Sequence, residues 1–363
     1  MIKCHLVCRS ASEYLTQLFT GFGILHKKKV IHLSYEKARN YVPGVNKHPR
    51  LRMILNDSIN VVYDMRDISL WYEDDLEWSD YYFKRSYDPE LVINSEHENK
   101  IFPYGFNYPV YGSSDAAYLR VFWSIVSLPS FHSKSDLRQI VEQTLRSNKV
   151  LSRVTNRENG RDNCAFENYE DIPHFEKKPI INMFTRLWDP AQTPDEYKED
   201  SQAINNMRIE CVKKLRYEFG DLFVGGIVPT TYALNCAKEL VVDKKMTIKK
   251  NYLKLILDAN ICVTTLGVVG SNGWKMGELI AGSKAIVCEK RRYSVPGNFT
   301  KDRNYLEFST TDECLYQVHL LVNNPEKRHE IMLNNLQYYH ASLRPDMLVW
   351  NTIKVIFDHM NHE

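Results

Sequence analysis

Residues 268–289 read VVGSNGWKMGELIAGSKAIVCE. A short apolar run leads into Gly270, Ser271, Asn272 and Gly273, then into a helix-period segment carrying Lys275 and Glu278, and ends on the β-rich run KAIVCE. The pattern predicts a loop, a helix over 274–283 and a strand over 284–289. Small residues let loop backbone approach a ligand closely. The helix that follows would turn its N–H groups and the positive end of its dipole toward an anion. Lys275 and Glu278 are three apart and share a helical face. A Lys beside a diphosphate and a Glu beside ribose hydroxyls would suit a nucleotide. An exposed ion pair on a solvated face fits these residues equally well, so the flanking sequence has to arbitrate.

Upstream of this stretch, strands and helices alternate. PIINMFTRLW (179–188) reads as a strand running into a loop, and INNMRIECVKKLRYEFG (204–220) as a helix ended by Gly220. DLFVGGIV (221–228) and NICVTTLG (260–267) read as strands around a helix at 247–259, and helices close the chain near 311–323, 325–341 and 344–360. The first hundred residues alternate in the same way, with strands at 2–8, 30–35, 59–67 and 80–87 and a helix at 12–29. Such alternation predicts parallel sheets with helices on their faces. Ligands meet these sheets beyond the carboxyl ends of strands. That singles out Arg9 and Ser10, and Asp64, Arg66 and Asp67. Between the halves, 113–128 and 133–151 read as helices with Ser114 and Ser135 as N-caps, and the polar stretch 156–173 as the connection.

The totals set limits. A chain of 363 residues exceeds one ordinary core, so two domains are expected. Its formal net charge of +2, with no basic block longer than HKKK (26–29), is not the footprint of a nucleic-acid binder. Eight cysteines lie far apart with no C-x-x-C pair, which points to free, mostly buried thiols in a reducing compartment. The opening MIKCHLVCRSASEY is too short and polar for a signal segment, and no apolar run reaches a bilayer span. A cytoplasmic protein is expected, with contact at a membrane surface compatible with these totals.

The 268–289 stretch resembles the donor-site motif of GT-B glycosyltransferases, above all the large retaining family 4 (group 1), whose pattern runs roughly E-x-F-G-[LV]-x-x-x-E-A-x-A-x-G-x-P-V-V. Laid on it without a gap, Asn272-Gly273 fall on Phe-Gly, Glu278 on the second Glu, Ala281 on the second Ala, and AIV (285–287) on Pro-Val-Val. The first Glu falls on Gly270, which leaves sugar recognition to Ser271 or Asn272. FTRLWDP (184–190) resembles the family's GRL loop and puts Arg186 on its phosphate-binding Arg. The family's partner Lys falls on Ala191, so Lys275 is the candidate replacement. KIFPYGFNYPVY (100–111) resembles the segment closing the family's first domain, and 295–335 resembles its tail.

The resemblance implies an α/β GT-B fold of two Rossmann-like domains facing a cleft. The first spans 1–175, with a helical extension at about 111–155. The donor domain spans 176–340, and a helix at 341–363 packs back on the first domain. It implies an enzyme that moves a hexosyl or related sugar from a nucleoside-diphosphate sugar to a glycan or lipid-linked acceptor, as in surface-polysaccharide biosynthesis, with retention. It also implies donor contacts from Arg186, Gly270, Ser271, Asn272, Gly273, Lys275 and Glu278. An Arg, a Lys and a helix N-terminus can stabilise a departing diphosphate without a metal, and no cofactor is expected. If the enzyme inverts, Asp64 or Asp67 is the base, although both also suit turn capping. A nucleotide-sugar 2-epimerase of similar twin-domain form, or a binding subunit that has lost catalysis, stands as the alternative. EDDLEWSD (73–80) reads as a solvated turn, the aromatics of 70–83 and His5, His32 and His319 as core residues, and His97 as a surface turn.

Overall fold

The computed structural model describes residues 1–7, 12–36, 49–112, 141, 145, 149–155, 163–175 and 178–361. The expected helix over 113–128, most of that over 133–151, and Arg9 and Ser10 lie outside the described residues. The chain divides into two compact units. The first comprises Met1–Asn168, Tyr293–Pro296 and His340–Glu363; the second comprises Tyr169–Arg292 and Gly297–Tyr339. Each is an α/β layer structure, the class that the resemblance implied.

The first unit holds a six-stranded sheet: β1 (Ile2–Val7), β2 (Ile31–Tyr35), β3 (Arg50–Leu55), β4 (Ile59–Asp64), β5 (Tyr81–Lys84) and β6 (Ile101–Pro103), in the order β2-β1-β3-β4-β5-β6. The wholly parallel sheet expected here is not found. β3 runs antiparallel to both β1 and β4. Its signal was in the sequence, since RLRMIL alternates outward Arg50 and Arg52 with buried Leu51, Met53 and Leu55. Asn56 and Asp57, both at positive φ, then turn the chain into β4. One sheet face packs on α1 (Thr16–Lys27), with Leu6, Met53, Val61 and Phe83 against Leu18 and Phe22. The other face carries Val62, Tyr82 and Ile101 against Leu76 and Val92.

EDDLEWSD is no solvated turn. Glu73–Trp78 form a short helix whose fully buried Asp75 receives both Arg50 and Arg52. Beside it, Tyr82 is core while Trp71 and Trp78 pack partly buried. His32 is exposed, and His319 stands at the surface, paired with Glu218 at 2.8 Å.

The second unit holds β7 (Ile181–Thr185), β8 (Phe223–Ile227), β9 (Ile261–Thr264), β10 (Ala285–Glu289) and β11 (Tyr305–Phe308). All pair in parallel, in the order β11-β10-β9-β7-β8. β11 was not expected from sequence. Helices α2 (Lys198–Phe219), α3 (Lys249–Asp258), α4 (Trp274–Ala281), α5 (Thr311–Asn323) and α6 (Pro325–Tyr338) accompany it. α2 starts six residues earlier than its apolar periodicity indicated and ends where expected, at Gly220 with φ +48°. Met183, Val263 and Val287 of the sheet meet Val212 and Leu215 of α2 and Val318 and Leu321 of α5 in one core.

The last helix, α7 (Pro345–Met360), belongs to the first unit and packs on α1. The two backbones meet at Gly21, where a Cβ would lie 2.1 Å from the Pro345 carbonyl oxygen. Among the described residues the free cysteines are buried except Cys236, and no helix is long and apolar enough to cross a membrane.

Candidate functional site

In the second sheet the connection from β7 leads outward to β8 and the chain then returns to β9 on the other side of β7. Neighbouring strands β7 and β9 are therefore left by connections that diverge, which opens a crevice beyond their carboxyl ends. Arg186 follows β7 directly, and Thr265–Gly273 follow β9. Topology alone thus brings together two of the segments singled out from sequence.

The turn after β7 is braced along its length. Lys275 of α4 donates its ammonium to the Phe184 carbonyl. Arg208 of α2 donates to the Arg186 carbonyl at 2.6 Å, to Thr265 Oγ1 at 2.9 Å and to the Leu266 carbonyl at 2.8 Å. One buried guanidinium therefore ties the ends of β7 and β9 to each other; burial pushes its pKa down to about 10, and Glu289 acts in the opposite sense. Glu289, closing β10, accepts the Leu266 N–H at 2.9 Å. Asn205, fully buried, accepts the Trp188 N–H at 2.8 Å and donates to its carbonyl at 2.7 Å. Sequence reading missed Arg208 and Asn205. Their cue was a polar residue on the buried stripe of a long helix, a place where charge needs several partners.

Within this frame Arg186 is exposed, and among the described residues no side chain pairs with its guanidinium. Lys275, the candidate replacement for the family's partner Lys, has a protein partner in this structure. It is half-buried, bonded to Phe184, and 5.4 Å from the Tyr252 ring centroid. Burial pushes its pKa down to about 8, against the opposing pull of Glu278.

The loop itself turns tightly. Val269 and Gly270 both take left-handed conformations, at φ +60° and +68°. For a β-branched residue this is strained, costing of order 1–3 kcal/mol, and the Val269 N–H is held by Asp200 at 2.6 Å. Ser271 and Asn272 are buried, with Arg291 Nε donating to Asn272 Oδ1 at 3.3 Å. Gly273 is the N-cap of α4, supplies no side-chain cap, and faces open space where a Cβ would stand.

Glu278 lies one turn into α4 and is buried. It does not pair with Lys275. Lys249 donates to its Oε1 at 2.7 Å and Tyr252 to its Oε2 at 2.6 Å, both from α3. The Lys249 ammonium also sits 4.9 Å from the Tyr169 ring centroid and 5.0 Å from that of Tyr252. A carboxylate offers about four acceptor sites, so two are left for hydroxyls. Lys249 and Tyr252 were not anticipated, because spacing within one helix says nothing of a neighbouring one.

In the first unit, Asp64 ends β4 with no exposed surface. It receives Lys84 at 2.9 Å, Arg66 at 2.8 Å and the Tyr82 hydroxyl at 2.7 Å. Burial would raise its pKa, yet Lys84 and Arg66 hold it below the ordinary carboxylate value. Asp64 thus anchors the end of β4 through buried ion pairs. Asp67 is partly exposed and held by Arg85 and by the Tyr14 hydroxyl at 2.8 Å.

No family model matches the chain, and no curated protein matches it. Among solved structures it is similar to a glycosyltransferase from Rickettsia africae ESF-5, at 10% identity over 97% of this chain and 82% of that one, with a TM-score of 0.41. It is similar to Anabaena Alr3699/HepE in complex with UDP, at 10% identity over 78% and 92%, with a TM-score of 0.34. It is also similar to the C-terminal domain of the glycosyl transferase group 1 family protein LpcC from Francisella tularensis, at 14% identity over 49% and 96%, with a TM-score of 0.33.

Proposed function

We propose that the chain is a GT-B glycosyltransferase that takes a sugar from a nucleoside-diphosphate donor to a glycan or lipid-linked acceptor, as in the building of a surface polysaccharide. The observation that carries this reading is that Arg186 and the loop leading to Gly273 follow neighbouring strands β7 and β9, whose ends Arg208 ties together where the sheet's connections diverge. Arg186 and the start of α4 take the diphosphate, and Glu278 takes ribose hydroxyls beside its two protein donors. Lys275 adds charge while bracing the β7 turn. Departure of the diphosphate develops negative charge, which an Arg fork and a helix N-terminus can stabilise without a bound metal.

Retention is the stereochemical course proposed here. Asp64 has no exposed surface, and Asp67, though partly exposed, already accepts from Arg85 and the Tyr14 hydroxyl. In the retaining course the donor's own phosphate receives the acceptor's proton.

The test is incubation with UDP- and GDP-sugars, with and without a glycan acceptor extract, read by release of the nucleoside diphosphate and by the anomeric configuration of the product. Acceptor-dependent release with a retained anomer supports the reading. Isomerisation of the donor without acceptor identifies a 2-epimerase instead.

A further inference from the structure

The braced turn after β7 has a second consequence. Three alternate carbonyls from the end of β7 into this turn, those of Phe184, Arg186 and Trp188, are each taken by a side chain from a helix: Lys275, Arg208 and Asn205. Leu187 is pinned in the core at 2% exposure. Beyond Trp188, Asp189 accepts the Ala191 N–H at 3.0 Å and the Gln192 side-chain amide at 2.9 Å. On either side of Leu187 stand two large side chains left in the open, Arg186 and Trp188, the latter 39% exposed.

Fixing backbone costs conformational entropy, and exposing an indole forgoes its burial. A turn held at so many points while its two bulkiest side chains are left out of the core is arranged to present them. A guanidinium suits a phosphate, and an indole face suits a flat ring. We propose that Trp188 is a stacking platform for a ring of the ligand whose phosphates Arg186 binds. This rests on the donor-nucleotide reading above. The ring is either the base or the sugar of the nucleotide sugar, since each offers a face to an indole.

The experiment is calorimetric titration of UMP, UDP and UDP-glucose, and of GMP, GDP and GDP-glucose, into the wild type and the variants Trp188→Ala, Trp188→Phe and Arg186→Ala. Thermal unfolding verifies that each variant is folded. Loss of one stacking partner is expected to weaken binding by about 5- to 150-fold in Trp188→Ala, with most of the affinity kept in Trp188→Phe. An equal loss for all three members of a series assigns the base. A loss confined to the sugar-bearing member assigns the sugar. Unchanged affinities in Trp188→Ala, with Arg186→Ala weakened, overturn the platform and leave the donor-nucleotide reading standing. A wild type that binds neither series overturns both.

Discussion

Asp64 and Lys275 show how far a single side chain's role depends on what other elements bring to it. Asp64 stands at a strand's carboxyl end, where a catalytic acid would belong, yet Lys84 and Arg66 convert it into a buried ionic anchor. Removing one member of such a cluster leaves the others uncompensated. Asp64→Asn is therefore expected to cost about 3–5 kcal/mol in urea unfolding. Because its folded pKa lies below that of an ordinary aspartate, about 3.9, this contribution is present above that value and is lost as pH falls through the lower folded one. Lys275 works in the opposite direction. Burial favours its neutral form and an arriving diphosphate favours the ammonium, so binding takes up a proton above pH of about 8. Affinity for a nucleoside diphosphate should be level below that pH and fall above it. Calorimetry at several pH values, repeated in buffers of different ionisation heat, reads both effects, and a flat profile to pH 9.5 would contradict this role. The i,i+3 spacing correctly put Lys275 and Glu278 on one face. It could not show that Phe184 would take the first and α3 the second.

Among the elements, the second unit was the more legible, because buried parallel strands read as apolar runs separated by helices with clear stops, such as Gly220. In the first unit β3 was passed over although RLRMIL alternates, and its two arginines are met by Asp74 and Asp75 of the neighbouring short helix. β11 is only four residues long and was masked by the loop before it. α7 was recognisable as a helix, but its contact with α1 hangs on Gly21. A Cβ there would stand 2.1 Å from the Pro345 carbonyl oxygen and 2.6 Å from Val349 Cγ2, and backbone cannot yield as a side chain can. Gly21→Ala should destabilise the protein by about 1–3 kcal/mol, read as a lower urea midpoint. An unchanged midpoint would mean that α7 does not hold this position against α1.

At the scale of the whole molecule, the alternation of strands and helices announces two α/β units, and the turns after β7 and β9 fall at the one place in the second sheet where ligands are expected. What sequence could not supply is the support beneath them. Arg208 joins the two turns from a helix some twenty residues away in sequence from the first and nearly sixty from the second. The open Arg186 guanidinium at the centre of this arrangement is the group on which the proposed function depends. The direct measurement is calorimetric titration of UDP and GDP into the wild type and Arg186→Ala at pH 7. At least one nucleoside diphosphate should bind the wild type, and the variant should bind it more weakly by about 1.5–3 kcal/mol, the scale of a hydrogen bond to a charged group. Equal affinity in the two proteins, or no binding of either diphosphate to the wild type, would contradict the account.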